Sequence, residues 1–191
     1  MAIDLAAFYR DTLGLFREET IADLASATQV RTRSKGYLVL YPGATIDRIT
    51  FQMSGISRNF VIDSHGNEVI YGFGFTPGTP LLGSQGLGET SRTYVELLTA
   101  ADILEVPGSV FFSCMQNDLR LTQTYTRFLL QQTQNLFDIH MVLATCTGEE
   151  RYRWFLDEYA EILDRIPQHM IASYLKLKPQ SLSRVKRNIN S

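Results

Sequence analysis

Cysteine is scarce. Cys114 and Cys146 are the only two in 191 residues, far apart and without a Cys-x-x-Cys pair, which excludes a disulfide framework and the usual zinc and iron–sulfur spacings. No stretch approaches the roughly 18 consecutive apolar residues of a membrane span. The opening Met-Ala-Ile-Asp-Leu lacks the basic start and apolar run of a signal peptide, so a cytoplasmic protein without membrane contact is expected. Histidine is limited to His65, His140 and His169, too dispersed to converge as the ligands of a metal-binding cupin barrel. The sequence has no Gly-x-Ser-x-Gly elbow, no Walker loop and no supported Cys/His pair. Catalysis is not expected, and no residue pattern specifies a cofactor.

What is present is an ordinary globular composition, 45% hydrophobic and 20% charged, long enough for one large domain or two small ones. The charge is unevenly placed. From Ile166 to Ser191 the chain carries Lys176, Lys178, Arg184, Lys186 and Arg187 and no acid, so with a net charge of −2 this tail holds +5 and the remainder −7. A basic end on an acidic body suits a nucleic-acid or partner-binding module.

Residues 4–27 space Leu5, Phe8, Leu13, Phe16, Ile21 and Leu24 at helical intervals around Gly14, predicting one or two short amphipathic helices. Between Val30 and Val106 the runs Tyr37–Tyr41, Ile49–Met53, Asn59–Asp63, Val69–Phe75, Thr93–Leu98 and Asp102–Val106 are separated by Gly, Pro and Asn turn residues. That rhythm predicts an antiparallel barrel or sandwich. After Pro107-Gly108, two seven-residue rows, Leu129/Leu136/Leu143 and Tyr125/Gln132/Ile139, describe a long helix over 113–147. It is either a dimer seam or a helix packed on its own β domain. A further helix is expected from Glu149 to Ile166, ended by Pro167.

The last segment is the most informative. Ile171-Ala172-Ser173-Tyr174-Leu175 reads as a short helix with a small residue at Ala172, Lys176-Leu177-Lys178 as a turn with one apolar plug, and Pro179 as the first position of a second helix. In that helix Leu182, Val185 and Ile189 would face the first, leaving a polar, basic face outward. This is the pattern of a helix-turn-helix. Arg184 is the candidate for bidentate contact with guanine and Gln180 for adenine. Ser181 and Ser183 suit phosphate or base contacts, with Ser183 equally suited to packing against the first helix. Lys178, Lys186 and Arg187 would track the backbone.

These residues resemble the Crp/Fnr transcription factors, whose Ile-Ala-x-x-Leu helix precedes a Thr/Ser-Leu-Ser-Arg recognition helix. The resemblance extends over the β region and the long helix. It implies an α+β chain: an N-terminal pair of helices with a cyclic-nucleotide-binding-like β-roll (a double-stranded β-helix) over 1–112, a dimerisation helix over 113–147, and a small helix-turn-helix domain over 148–191. It further implies double-stranded DNA as partner, a homodimer, and a small-molecule effector. The effector positions would be Gly83, Ser91, Arg92 and Thr93. Leu82-Gly83 and Ser91-Arg92 stand where the cyclic-AMP-binding members carry Gly-Glu and Arg-Ser, so an effector other than cyclic AMP is expected. The loop Gly83-Ser84-Gln85-Gly86-Leu87-Gly88 either offers amides to an anion or is a flexible connection.

Two departures concern the helix-turn-helix itself. Lys176 replaces a glycine of the turn, where a left-handed conformation costs a non-glycine residue about 1 kcal/mol, and Lys178 replaces a Ser or Thr cap worth about 1 kcal/mol. Both exchanges add charge that could neutralise DNA phosphates. The competing reading is a cupin-like sensor that acts through protein contacts and carries a degenerate helix-turn-helix.

Overall fold

The computed structural model describes residues 3–83 and 86–189. Its contacts divide the chain into two compact units, 1–59 with 73–131 and 60–72 with 132–191.

In the first unit, α1 (Leu5–Ala7) runs into a π-helical turn (Phe8–Thr12) and is followed, past Gly14, by α2 (Glu18–Ala27). Eight strands follow along the chain, of which residues 60–62 of β4 and 68–72 of β5 belong to the second unit: β1 (Gln29–Arg33), β2 (Leu38–Leu40), β3 (Arg48–Gln52), β4 (Ser57–Ile62), β5 (Glu68–Gly74), β6 (Thr79–Pro80), β7 (Tyr94–Leu97) and β8 (Ala101–Pro107). They form two four-stranded sheets, ordered β1-β8-β3-β6 and β2-β7-β4-β5. This is the expected β-roll. β1 and β6 are additions to the strands predicted, because β1 reads Gln-Val-Arg-Thr-Arg and shows no apolar alternation.

The two-residue period of a strand assigns the cores. Ile103 of β8 joins Leu40, Ile46, Leu81, Val95, Leu97 and Ala101 in a cluster inside the roll. Its neighbours Leu104 and Val106 join Ile49 and Phe51 on the opposite face, against Phe8, Tyr9, Leu24 and Phe111. Gly55 turns the chain between β3 and β4 with φ +81°, and a Cβ there would lie 2.7 Å from the Ala100 carbonyl oxygen. No other residue fits that turn.

The predicted long helix is present as a 27-residue helix, preceded by a separate shorter one. α3 (Gly108–Asn117) stops at Asp118, which is extended, and α4 runs from Leu119 to Thr145. Asp118 Oδ1 accepts the amides of Arg120 and Leu121 at 2.9 and 3.3 Å, so its carboxylate caps α4 and ends α3 at once. Tyr125 packs edge-on against Phe111 at 5.5 Å, and Ile139 is buried. Leu129, Leu130, Leu136, Phe137 and Met141 are exposed. One apolar row therefore packs on its own chain and another is solvent-exposed.

In the second unit, α5 (Gly148–Glu158) is capped by a reciprocal box between Thr147 and Glu150. The predicted single helix to Ile166 is instead α5 followed by a 3-10 segment, Ala160–Arg165. α6 (Gln168–Tyr174) and α7 (Pro179–Ile189) complete it. Phe155, Ile162, Ile171, Leu175 and Leu182 are buried together with Tyr174. Trp154 stacks on Tyr174 at 6.3 Å and meets Tyr159 edge-on at 6.1 Å. The Tyr159 and Tyr174 hydroxyls are 2.9 Å apart, and burial pushes both phenols above their ordinary pKa.

Candidate nucleic-acid interface and ligand cavity

The turn between α6 and α7 is built by backbone bonds. The Lys176 amide donates to the Ser173 carbonyl at 3.2 Å and the Leu177 amide to the Ala172 carbonyl at 2.9 Å. These are the two bonds of a Schellman ending, whose left-handed position normally holds glycine. Here Lys176 occupies it with φ 54°, the one non-glycine residue with positive φ among the described residues. Its partial burial lowers the ammonium pKa. Leu177, the apolar plug, lies against Gly148, where a Cβ would come within 3.1 Å of its Cδ2.

The Lys178 carbonyl accepts the Leu182 amide at 3.0 Å, which makes Lys178 the N-cap of α7. Leu182 is 1% exposed and points inward. Gln180, Ser183, Arg184 and Arg187 are exposed and share a helical face through spacings of three, four and seven. Ser183 Oγ donates back to the Pro179 carbonyl at 3.1 Å, and Lys186 Nζ donates to Gln168 Oε1 at 2.9 Å. Ser181 is half-buried. The structure thus brings Gln180, Ser183, Arg184 and Arg187 onto one surface. Asn188, also exposed and one turn beyond Arg184, belongs to the same surface and was missed, because a neutral side chain adds nothing to a charge pattern.

A second missed residue is Arg151 of α5. Its guanidinium donates to three carbonyls: Leu143 at 2.7 Å, Cys146 at 3.0 Å and Leu175 at 3.2 Å. The final turns of α4 and α6 leave carbonyls without helical partners, and one cation satisfies both ends and favours both dipoles. Ser173 Oγ donates to the Glu68 carbonyl at 2.9 Å and accepts the Ile70 amide at 3.2 Å. That fastens α6 to the 60–72 hairpin tip within the same unit.

In the first unit a cavity of about 320 Å³ is lined by Tyr37, Leu40, Arg48, Gly83, Glu105 and Tyr125, among others. Of the predicted effector residues, Gly83 lines it. Ser91 and Thr93 are buried; Ser91 Oγ donates to the Thr93 carbonyl at 2.9 Å. Thr93 Oγ1 is buried without a hydrogen-bond partner among the described residues and lies 3.0 Å from where a Cβ on Gly83 would stand. Arg92 is exposed and does not line the cavity. Ser84 and Gln85 of the glycine loop lie outside the described residues.

Glu105 and three arginines form a group that the sequence reading did not anticipate. In the ladder Glu105 stands opposite Gln29 of β1 and Thr50 of β3, so the two-residue period puts Arg31, Arg33 and Arg48 on its face. Alternate arginines in β1 were the available signal. Glu105 Oε2 lies 3.6 Å from Arg33, 3.8 Å from Arg48 and 4.0 Å from Arg31.

No family model and no curated protein matches the sequence. Solved structures do match. FixK2 of Bradyrhizobium japonicum superposes with a TM-score of 0.75 at 19% identity, over 85% of this chain and 84% of that one. CLP of Xanthomonas campestris, a cyclic di-GMP-responsive global regulator, gives 0.73 at 14% identity over 91% of each chain. A regulator assigned to the Crp/Fnr family from Eubacterium rectale gives 0.74 at 12% identity, over 96% of this chain and 87% of that one. At these identities the likeness establishes the fold.

Proposed function

We propose that this chain, which has the fold of the Crp/Fnr regulators, is a DNA-binding transcriptional regulator and not an enzyme. It works in the cytoplasm as a homodimer whose α7 helices read two half-sites in the major groove. The observation that carries this reading is the outward face of α7: Gln180, Ser183, Arg184 and Arg187 are exposed together while Leu182 anchors the helix behind them. Arg184 makes the guanine contact, Gln180 reads adenine, and Ser181 and Ser183 approach the backbone or a base edge. Lys178, Lys186 and Arg187 set position. One such helix reads only a few base pairs, so paired half-sites need a symmetric protein. The exposed Leu129, Leu130, Leu136, Phe137 and Met141 of α4 supply the apolar seam.

The roll serves as the sensor. Its effector, a small molecule other than cyclic AMP, occupies the cavity that Gly83 lines, with Ser91 and Thr93 next to Gly83 and Arg92 outside the lining. The Thr93 hydroxyl beside Gly83, without a partner among the described residues, supports a ligand there.

The test is fluorescence anisotropy of a labelled duplex titrated at several salt concentrations, with wild type and an Arg184→Ala/Arg187→Ala variant. Binding that weakens steeply with salt and drops in the variant is expected. On a specific site Arg184→Ala alone costs about 1–3 kcal/mol and relaxes the preference at one base pair. Equal binding by wild type and the double variant refutes the assignment of α7. Failure of a folded dimer to bind any duplex at low salt favours a sensor that acts through protein contacts.

A further inference from the structure

The cavity of the roll joins apolar walls to one buried acceptor. Leu40, Ile46, Ile49 and Leu81 are buried in its lining, with Tyr37 and Tyr125 beside them. Its charged members are Asp47, Arg48 and Glu105. Asp47 and Arg48 are exposed and neutralise each other through two bonds, Arg48 Nε to Asp47 Oδ1 at 2.8 Å and Nη2 to Oδ2 at 3.2 Å. Glu105 differs from both. It is 6% exposed, and the cations nearest to it, Arg33 at 3.6 Å, Arg48 at 3.8 Å and Arg31 at 4.0 Å, all stand beyond hydrogen-bond length. Among the described residues none donates a hydrogen bond to this carboxylate, and a buried acceptor left without a donor is costly. Thr50, 4% exposed, stands opposite Glu105 across β3 and β8 and lines the same cavity.

These charges disfavour an ion of either sign. An anion meets two carboxylates and a guanidinium already committed to Asp47, whereas a cation meets Arg48, with Arg33 and Arg31 close to Glu105 outside the lining. An uncharged molecule that donates one hydrogen bond satisfies the carboxylate and buries the rest of its surface on the apolar walls. The rings favour an aromatic guest. Arg33 is stacked 4.6 Å over the Tyr37 ring and Tyr125 meets Phe111 edge-on at 5.5 Å, so two rings held in place are available for edge or face contact. We infer that the cavity binds a small uncharged aromatic molecule carrying an N–H or O–H donor, with Glu105 as its acceptor and Thr50 beside it. The volume of about 320 Å³, at the low end for ligand sites, restricts the guest to a single small ring system. This class of ligand deepens the reading of the roll as a sensor and rests on it, but not on DNA binding.

The experiment is isothermal titration calorimetry of the full chain without DNA, with indole and phenol as donors, benzofuran as a ring without a donor, and benzoate and benzylamine as the charged controls. Indole or phenol is expected to bind with a Kd of about 1 mM or tighter. Benzofuran, benzoate and benzylamine each bind about tenfold more weakly or worse, the first because it lacks the hydrogen bond to a charged acceptor and the other two because of the charges they meet. Glu105→Gln separates this contact from a merely apolar cavity: indole weakens toward benzofuran while benzofuran is unchanged. Leu40→Phe fills the space and weakens both. Thermal melts establish that each variant is folded, and if neither is, the comparison of indole with benzofuran on wild type carries the test. The inference is overturned if neither donor binds the folded wild type, if benzofuran or either ion binds as tightly as the better donor, or if a folded Glu105→Gln or Leu40→Phe variant leaves indole binding unchanged. Absence of binding leaves the sensor reading standing for a different effector. Binding that does not alter the affinity for DNA in the anisotropy titration keeps the site and refutes the sensor reading.

Discussion

A Lys176→Gly substitution probes the turn of the helix-turn-helix from two sides. The left-handed φ of 54° at Lys176 costs a side-chain-bearing residue about 1–2 kcal/mol. Glycine removes that cost but loses about 0.5–1 kcal/mol in extra unfolded-state freedom. The two Schellman bonds, from the amides of residues 176 and 177, are retained because both are backbone bonds. A net gain of about 0.5–1 kcal/mol follows, which raises Tm by roughly 1–4 °C for a chain of this size. The Lys176 ammonium, whose pKa burial lowers, acts in the same direction. The unfolded lysine holds its proton more tightly, so wild type gains stability as pH rises through the folded pKa toward the ordinary lysine value of about 10.4. The advantage of the variant therefore narrows over that interval. Urea and thermal unfolding measure the gain. If Lys176 also neutralises a phosphate, the slope of log K against log salt becomes shallower by about 0.9. A variant that is less stable refutes the backbone argument. An unchanged salt slope refutes the role of the charge.

Lys178→Ser restores a capping hydroxyl at the N-cap of α7 and is expected to add about 1 kcal/mol in urea unfolding. The same variant loses one unit of positive charge and its share of the salt dependence. Arg151→Met removes the donors to Leu143, Cys146 and Leu175. It should destabilise the chain by about 2–3 kcal/mol, and a loss below about 0.5 kcal/mol would show that water takes over the carbonyls. Tyr9, buried and bonded to Thr28 at 2.6 Å, has its phenol pushed up to about 12, chiefly by burial. Its folded pKa exceeds the unfolded value, so its contribution is complete below about pH 10 and lost as pH rises toward 12. Tyr9→Phe should remove that part of the alkaline destabilisation, which unfolding at graded pH detects.

The turns were the readable part of the β-roll. Gly43, Gly55 and Gly66 all have positive φ, and each falls between strand-like runs, so short-range chemistry alone located most strands. β1 escaped because its residues answer to partners about 70 positions away: Arg31 stands opposite Ile103 and Arg33 opposite Ala101. The Glu105 cluster was hidden for the same reason, since its members meet only when β1, β8 and β3 are laid side by side. Asp118 carried a capping signal, but it lay inside a helical periodicity that continued on both sides. In the C-terminal unit the basic face of α7 was legible from spacing. The Arg151 clamp was not, because backbone carbonyls have no letter in a sequence.

Trp154 is the single tryptophan of the chain, and it stands on α5 with Tyr174 of α6 against its ring. The protein therefore carries its own optical probe, confined to one of its two units. Indole emission reports the environment of α5 and α6 and is silent about the roll, whose fluorescence comes from tyrosine alone. Unfolding followed by emission and by far-ultraviolet circular dichroism separates a chain that melts in one step from one whose helical unit loosens first. The same signal, read during a titration with DNA, registers any repacking of α6 without a dye or a label.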